Sequence, residues 1–292
     1  MSPAGAPASG RPGPRRGPPW VVLQALLGGS LLALFLLPLY ALFTYAPPGA
    51  IGAAAQQPAV QAAISLTLLA SAIAVLTAVV LAIPLGYLLA RRSFPGRSVV
   101  EAIVALPVAV PHLLVGLGLF FLLVPGTPLY RLTTALGIPV YDTVWGVVLV
   151  MVFVSAPYTV LAADLSFRAV DPRVVETARA LGAGPATTFL TVSLPVAARG
   201  IVAGLLLTWA RAVSEIGGIL ILAYTVYPAG PYNGPVTNTL SVLVYDLFQA
   251  GDLKEAAAVS CVFLLIAFGL FLAVRFGERA GWLPWGRGEL VP

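Results

Sequence analysis

Arg211 and Glu215 are opposite charges four residues apart in TWARAVSEIGGILILAY, an otherwise largely apolar stretch. On one helix that spacing places them on a common face within reach of a salt bridge, although Arg preceding Glu is the weaker order. At the centre of a membrane-spanning helix each charge costs about 2.5–3.5 kcal/mol on insertion scales, so neither is expected to face lipid. Two readings fit: a pathway or gate element, or an internal ion pair that pins this helix to its neighbours. A fixed anion-binding site is disfavoured, because Glu215 would repel the anion that Arg211 attracts. Ser214 lies within the pair, and Gly217 and Gly218 follow it. Glycines there allow close helix approach or flexing at a gate.

His112 is a second polar position, in ALPVAVPHLLVGLG. Pro107 and Pro111 each remove a backbone donor, four residues apart, and predict a kink or an unwound turn. His112 either satisfies a carbonyl freed by that break or lines a translocation path. It is the single histidine, and the single cysteine is Cys261 inside an apolar run, so neither a clustered metal site nor a disulfide framework is indicated. The sequence holds no GxxxxGK[ST] phosphate loop, no HExxH and no GxSxG. The chain is therefore expected not to be an enzyme, and any ATP hydrolysis must come from elsewhere.

The elements that position these residues are apolar and long. Apolar residues make up 59% of the chain and charged ones 9%, against roughly 25% charged in a soluble domain. Runs at about Val21–Tyr45, Ile64–Ala90, Val99–Val124, Trp145–Ala163, Ile201–Tyr224 and Ala256–Phe276 are each long enough to span a bilayer as a helix. They do not alternate as barrel strands would. The fold class is all-α: a polytopic membrane protein with six transmembrane helices.

Arginines fix the expected orientation. Arg11, Arg15 and Arg16, then Arg91, Arg92 and Arg97, then Arg168, Arg173, Arg179 and Arg199, then Arg275, Arg279 and Arg287 fall on one side of a six-helix threading. The opposite loops hold Arg131 and Lys254. Both termini are thus expected to be cytoplasmic in a multi-pass cell-membrane protein. The net charge of +5 follows from this topology, and basic residues scattered along membrane boundaries give no nucleic-acid site. Residues 1–19 form a disordered basic tail. Residues 20–46 read as a retained anchor, being longer than a signal core and lacking a separate small-residue cleavage site.

Between the fourth and fifth runs lies VVETARALGAGPATTFLTVSLPVAAR, from Val174 to Arg199. Asp171 followed by Pro172 starts a helix, Asp as cap and Pro at the first position. Val174, Ala178 and Leu181 recur on one face, while Gly182 and the Gly184–Pro185 pair end the helix. A dozen residues cannot span a bilayer, so this helix lies on the surface or in a partner. A last amphipathic element is expected in the long connection from Tyr224 to Glu255. There Leu240, Leu243, Val244 and Leu247 form a stripe, near Tyr245 and Phe248, on a re-entrant or interfacial helix.

Glu176, Thr177, Ala178, Gly182, Val192, Leu194 and Pro195 resemble the EAA loop of ATP-binding-cassette importer permeases, written Glu-Ala-Ala, three residues, Gly, nine residues, Ile-x-Leu-Pro. Thr177 replaces an Ala and Val192 the Ile, with every spacing kept. The resemblance runs from roughly Ile64 to Phe276. LPVAVPH, VFVSAPY and WARAVSEIGGILILAYTVYP look like the molybdate, tungstate and sulfate branch, nearest the archaeal tungstate and molybdate permeases. It implies a permease core of five transmembrane helices over 62–277, with a coupling loop over 165–199, before a short tail over 278–292. Asp171, Glu176, Thr177, Ala178, Gly182, Ala183, Leu194 and Pro195 would couple to the ATPase. Arg211, Ser214, Glu215, Gly217, Gly218, Pro107, Pro111 and His112 would belong to the pathway or gate.

The resemblance further implies an ATP-driven importer in the cell membrane of a bacterium or archaeon, taking up an oxyanion, tungstate or molybdate preferred and sulfate possible. A homodimer would sit on a cytoplasmic ABC ATPase dimer that binds ATP and Mg, the permease itself carrying no cofactor. An extracytoplasmic oxyanion-binding protein would deliver the cargo. The alternative class is a gradient-driven secondary carrier or channel for a small solute. Such carriers often show broken helices in both halves, and only the first break is evident in the sequence.

Overall fold

The computed structural model describes residues 19–227 and 236–279. The predicted terminal tails, apart from residues 19, 278 and 279, and part of the turn-rich connection after Tyr227 lie outside the described residues. The fold is helical: α1 Pro19–Tyr45, α2 Ala50–Gln56, α3 Pro58–Arg91, α4 Arg97–Ala109, α5 His112–Leu123, α6 Pro128–Ala135 and α7 Val144–Arg168. Then follow α8 Pro172–Ala180, α9 Pro185–Thr188, a π-helical turn Phe189–Ser193, α10 Leu194–Val213, α11 Ile219–Leu222, α12 Leu240–Gln249 and α13 Leu253–Arg279.

Among the described residues five stretches are long and apolar enough to cross a membrane: Trp20–Tyr45, Pro58–Arg91, Val144–Arg168, Pro185–Val213 and Leu253–Val274. A sixth crossing exists if α4 and α5, bent by 111° between them, count as one. Each predicted run thus has a counterpart, but two of the six are not continuous helices. The third breaks where Val110 precedes Pro111. A residue before proline is pushed out of the helical region, and Val110 (ψ 136°) and Pro111 (ψ 131°) are both extended.

The expected fifth span, Ile201–Tyr224, requires a larger correction. Its helix begins earlier and ends at Val213, and Ser214–Gly218 leave the helical path before the short α11. Arg211 is therefore in a last helical turn, and Glu215 is in a break rather than near the middle of a helix. The second half has a break matching the first, which the sequence reading did not find. Gly217 and Gly218 remove the side chains that would hold a helix, and Glu215 is held by other partners.

Helices α3, α7 and α10 pack on one another as the core, small residues meeting along the α7–α10 seam, where Gly204 lies against Ala162. Thr159 and Thr208 share a buried hydroxyl hydrogen bond of 2.6 Å across that seam, and Thr208 also reaches the Ser155 carbonyl at 3.2 Å. Helix α13 packs against α1, α2 and α12. The predicted stripe on α12 is partly or fully buried: Leu240, Leu243, Val244 and Leu247 join Val60, Ala63 and Val259 in one apolar cluster. The Leu240 amide donates to the Thr67 hydroxyl (2.8 Å), fixing the start of α12 on α3.

Candidate functional site

The two breaks meet. Arg211, from the last turn of α10, directs one guanidinium nitrogen, Nη2, to Glu215 Oε2 at 2.6 Å. The same nitrogen lies 2.6 Å from His112 Nδ1 and 2.7 Å from Nε2. It can donate to one of the two, since the ring lone pairs diverge, and a nitrogen that accepts is unprotonated. Arg211 Nη1 donates to the Ser214 hydroxyl at 3.3 Å, and that hydroxyl donates to the Arg211 carbonyl at 3.1 Å. The other Glu215 oxygen accepts from the Gly218 amide at 2.8 Å. Glu215 thereby closes the turn that would otherwise leave that amide without a helical acceptor.

Burial sorts the three polar groups. The Glu215 side chain is 1% exposed, Arg211 17% and His112 34%. A buried carboxylate is tolerated when it is paired and its oxygens are hydrogen-bonded. Glu215 meets both conditions, with His112 Nδ1 3.8 Å from its Oε2 as a further polar neighbour. The guanidinium thus joins the α4–α5 break to the α10–α11 break. His112 was expected to satisfy a freed carbonyl or to line a path. The ring's hydrogen bonds go to Arg211 instead, and no carbonyl bond to the ring occurs among the described residues.

The glycines at the breaks serve close packing. A methyl on Gly116 would meet Gly218 Cα at 2.7 Å and its carbonyl oxygen at 2.8 Å. One on Gly217 would meet His112 Cβ and the Leu113 amide at 3.1 Å. Backbone therefore lies on backbone where α5 crosses the turn before α11, and the site's polar side chains sit beside that crossing. Pro107 is buried in α4 one turn before the break, and Pro111 caps α5.

The second candidate region is α8 and its flanks. Asp171 Oδ1 accepts from the Arg173 amide at 2.9 Å, the predicted N-cap. Gly182 adopts φ +91°, its amide bonding the Arg179 carbonyl and the Ala183 amide bonding that of Ala178. This is the Schellman arrangement that a left-handed glycine permits. Val175 is the buried residue of α8. Val174 and Leu181 point away from the core, Leu181 being 84% exposed. Glu176 is exposed and the Thr177 hydroxyl bonds the Arg173 carbonyl at 2.9 Å, so Thr here needs no partner beyond its own helix. Leu194 and Pro195 open α10, directly after the π-helical turn.

The geometry is that of a helical membrane bundle with a capped surface helix inserted before its broken span. A family profile described as the inner membrane component of binding-protein-dependent transport systems matches residues 82–279. The chain belongs to this family. Among curated proteins, the permease is 34% identical over 256 residues to a molybdate/tungstate transport system permease protein of Thermococcus kodakarensis, covering 87% of this chain and 94% of that one. It is 35% identical to a probable molybdenum ABC transporter permease protein of Haloferax volcanii, covering 91% and 92%. A probable sulfate transport system permease protein of Zygnema circumcarinatum is 30% identical over 76% of this chain and 75% of that one. A crystal structure of a bacterial alginate ABC transporter in complex with a pentasaccharide-bound periplasmic protein contains a chain with the same fold. The TM-score is 0.68, with 19% identity over 89% of this chain and 94% of that chain.

Sequence reasoning about the permease missed a polar set at the other end of the bundle from α8. Asp246 accepts from the Tyr224 hydroxyl at 2.6 Å and from the Asn238 amide at 2.8 Å, tying α12 to both ends of the connection after α11. Asp142, with φ 51°, bonds through its backbone to Leu222 and Tyr227. Burial holds its carboxyl above the usual Asp range, partly offset by hydrogen bonds from the Thr225 backbone and the Tyr141 side chain. Asp tolerates the left-handed region better than most residues, a local signal that Asp142 following Tyr141 does not announce in sequence.

Proposed function

We propose that this permease is the transmembrane subunit of an ATP-driven importer, taking up a tetrahedral oxyanion, molybdate or tungstate before sulfate. The names and identities of its relatives support the cargo class. The arginine distribution supports placing α8 and both termini in the cytoplasm of a prokaryotic cell. Two copies of the chain would sit on two copies of an ABC ATPase, which binds ATP and Mg, and receive the anion from an extracytoplasmic binding protein. ATP and the loaded binding protein supply the differential binding energy that shifts such a protein between two access states.

One observation carries the coupling role: among the described residues the capped helix α8 leaves Val174 and Leu181 exposed and is stopped by a left-handed Gly182. Asp171, Glu176, Thr177, Ala178, Gly182 and Ala183 shape that docking surface, and Leu194 and Pro195 join it to α10. The pathway assignment covers Arg211, Ser214, Glu215, Gly217, Gly218, Pro107, Pro111 and His112, all at the meeting breaks or within one turn of them. The paired breaks also favour a gradient-driven carrier, the second reading. Purifying the tagged chain from its host and identifying what accompanies it separates the two. A phosphate-loop ATPase at equal copy number is expected. Its absence, even after crosslinking at Val174–Pro195, combined with uptake driven by an ion gradient, would sink the importer reading.

A further inference from the structure

We propose that Arg211 and Ser214 form the contact point on this chain for the passing oxyanion, and that His112 is a placeholder acceptor occupying Arg211 when no anion is present. The proposal deepens the importer reading and rests on it. It begins from donor arithmetic. A guanidinium carries five N–H donors in a planar fork. Nη2 is committed to Glu215 and His112, and Nη1 reaches only the Ser214 hydroxyl, at a long 3.3 Å, among the described residues. Donor capacity is left over on the side that carries Ser214, which is exposed.

The two partners of Nη2 differ in how easily they can be exchanged. Glu215 is buried, and both its oxygens are engaged within its own turn, one by Arg211 and one by the Gly218 amide. Displacing it would strand a buried carboxylate, which is costly. His112 is a neutral acceptor on the facing segment and is the most exposed of the three. Turning its ring aside leaves the glycine packing between α5 and the turn intact, because that packing uses backbone and Cβ atoms. The bond to His112 has one ionised partner, whereas a bond from Arg211 to an oxyanion has two, so an arriving anion displaces the imidazole and leaves the carboxylate in place.

Glu215 then has a role that the repulsion argument overlooked. It keeps Arg211 aimed at the break and cancels its charge, so the anion is held by directed hydrogen bonds without the full attraction of a lone cation. A translocation path needs contacts favourable enough to admit cargo and weak enough to release it. The fork geometry favours oxygen atoms of a tetrahedral anion over a halide.

The test is equilibrium dialysis of the purified permease–ATPase complex, without binding protein, against radiolabelled tungstate, then molybdate and sulfate. Removing the placeholder in His112→Ala is expected to tighten oxyanion binding about tenfold or more, the worth of one hydrogen bond to a charged group in a competition. His112→Gln, whose amide oxygen can accept the same bond, is expected to stay within about twofold of the unsubstituted complex. Adding Arg211→Gln to His112→Ala is expected to abolish the gain. Equal affinity in His112→Ala and the unsubstituted complex overturns the proposal, as does a gain that survives Arg211→Gln; should the double variant fail to assemble, the His112→Ala against His112→Gln comparison decides alone. ATP-driven uptake by the unsubstituted complex with its binding protein is measured in parallel. Its absence overturns the importer reading and the proposal with it, whereas uptake with unchanged His112→Ala affinity overturns the proposal alone.

Discussion

The Arg211–Glu215 pair makes the sharpest energetic prediction. In Arg211→Ala the Glu215 carboxylate, 1% exposed, keeps only the Gly218 amide as a hydrogen-bond partner among the described residues. Leaving a buried charge without its partner costs about 3–5 kcal/mol. In Glu215→Ala the guanidinium retains His112 and Ser214 and is less deeply buried, so about 1–3 kcal/mol is expected, including the loss of an acceptor for Gly218. The double variant has neither charge to strand, and its cost is expected to fall short of the sum by at least about 2 kcal/mol. The chain's single cysteine, Cys261, is buried. A thiol-reactive dye therefore reports thermal unfolding in detergent without any introduced label. At roughly 2–4 °C per kcal/mol for a chain of this order of size, Arg211→Ala should melt on the order of 10 °C lower, with the double variant close to it rather than far below. Additivity within about 0.5 kcal/mol would refute the claim that the two side chains satisfy each other.

Other outcomes follow from the same structure. Gly182→Ala meets open space but must hold φ +91°, a conformation costing an L-residue about 1–2 kcal/mol; the melting point should fall by about 2–8 °C on the same scale while ATPase association and uptake fall, and Gly182→Asn should be milder. Gly116→Ala should cost about 1–3 kcal/mol by overpacking, because the new methyl meets the Gly218 backbone rather than a movable side chain. Asp142 has its pKa raised by burial, so the folded state binds more protons than the unfolded one across the Asp range and stability should decline as pH rises through it. Asp142→Asn keeps a residue suited to φ 51° and should flatten that decline in melting scans across the range.

What the sequence disclosed and what it concealed divide along the range of the interactions. Four of the six helix spans, the Asp171 cap and the Gly182 stop are local, set by hydropathy and by a residue's own backbone preference, and all of these are present in the structure. The α4–α5 break was also legible, since Pro111 constrains Val110 directly. The α10 break was not, because no proline marks it. Helix periodicity runs on through Ser214–Gly218, and what ends it is the capture of the Glu215 carboxylate by Arg211 and by the Gly218 amide. The facing of His112 and Arg211, 99 residues apart, depends on how α5 crosses the turn before α11, which spacing within either segment cannot encode. The same holds for Val175, whose burial on α8 follows from where the core lies.

The breaks and the surface helix are mechanically one system. From Pro185 to Val213 the chain is helical without interruption over 29 residues, roughly 43 Å at 1.5 Å per residue. Pro195 would break such a run by lacking an amide donor and crowding the preceding turn. The widened turn Phe189–Ser193, in which the Leu194 amide reaches back five residues to the Phe189 carbonyl, carries the helix past it. The base of this rod is gripped by Phe189 against the edge-packed rings of Tyr87 and Phe167, and Arg91 donates to the Val170 carbonyl at 2.8 Å beside it. Its far end is the turn that carries Arg211. A displacement passed from the proposed docking surface on α8 to Pro185 would reach the guanidinium through a continuous backbone rather than through a chain of side-chain contacts.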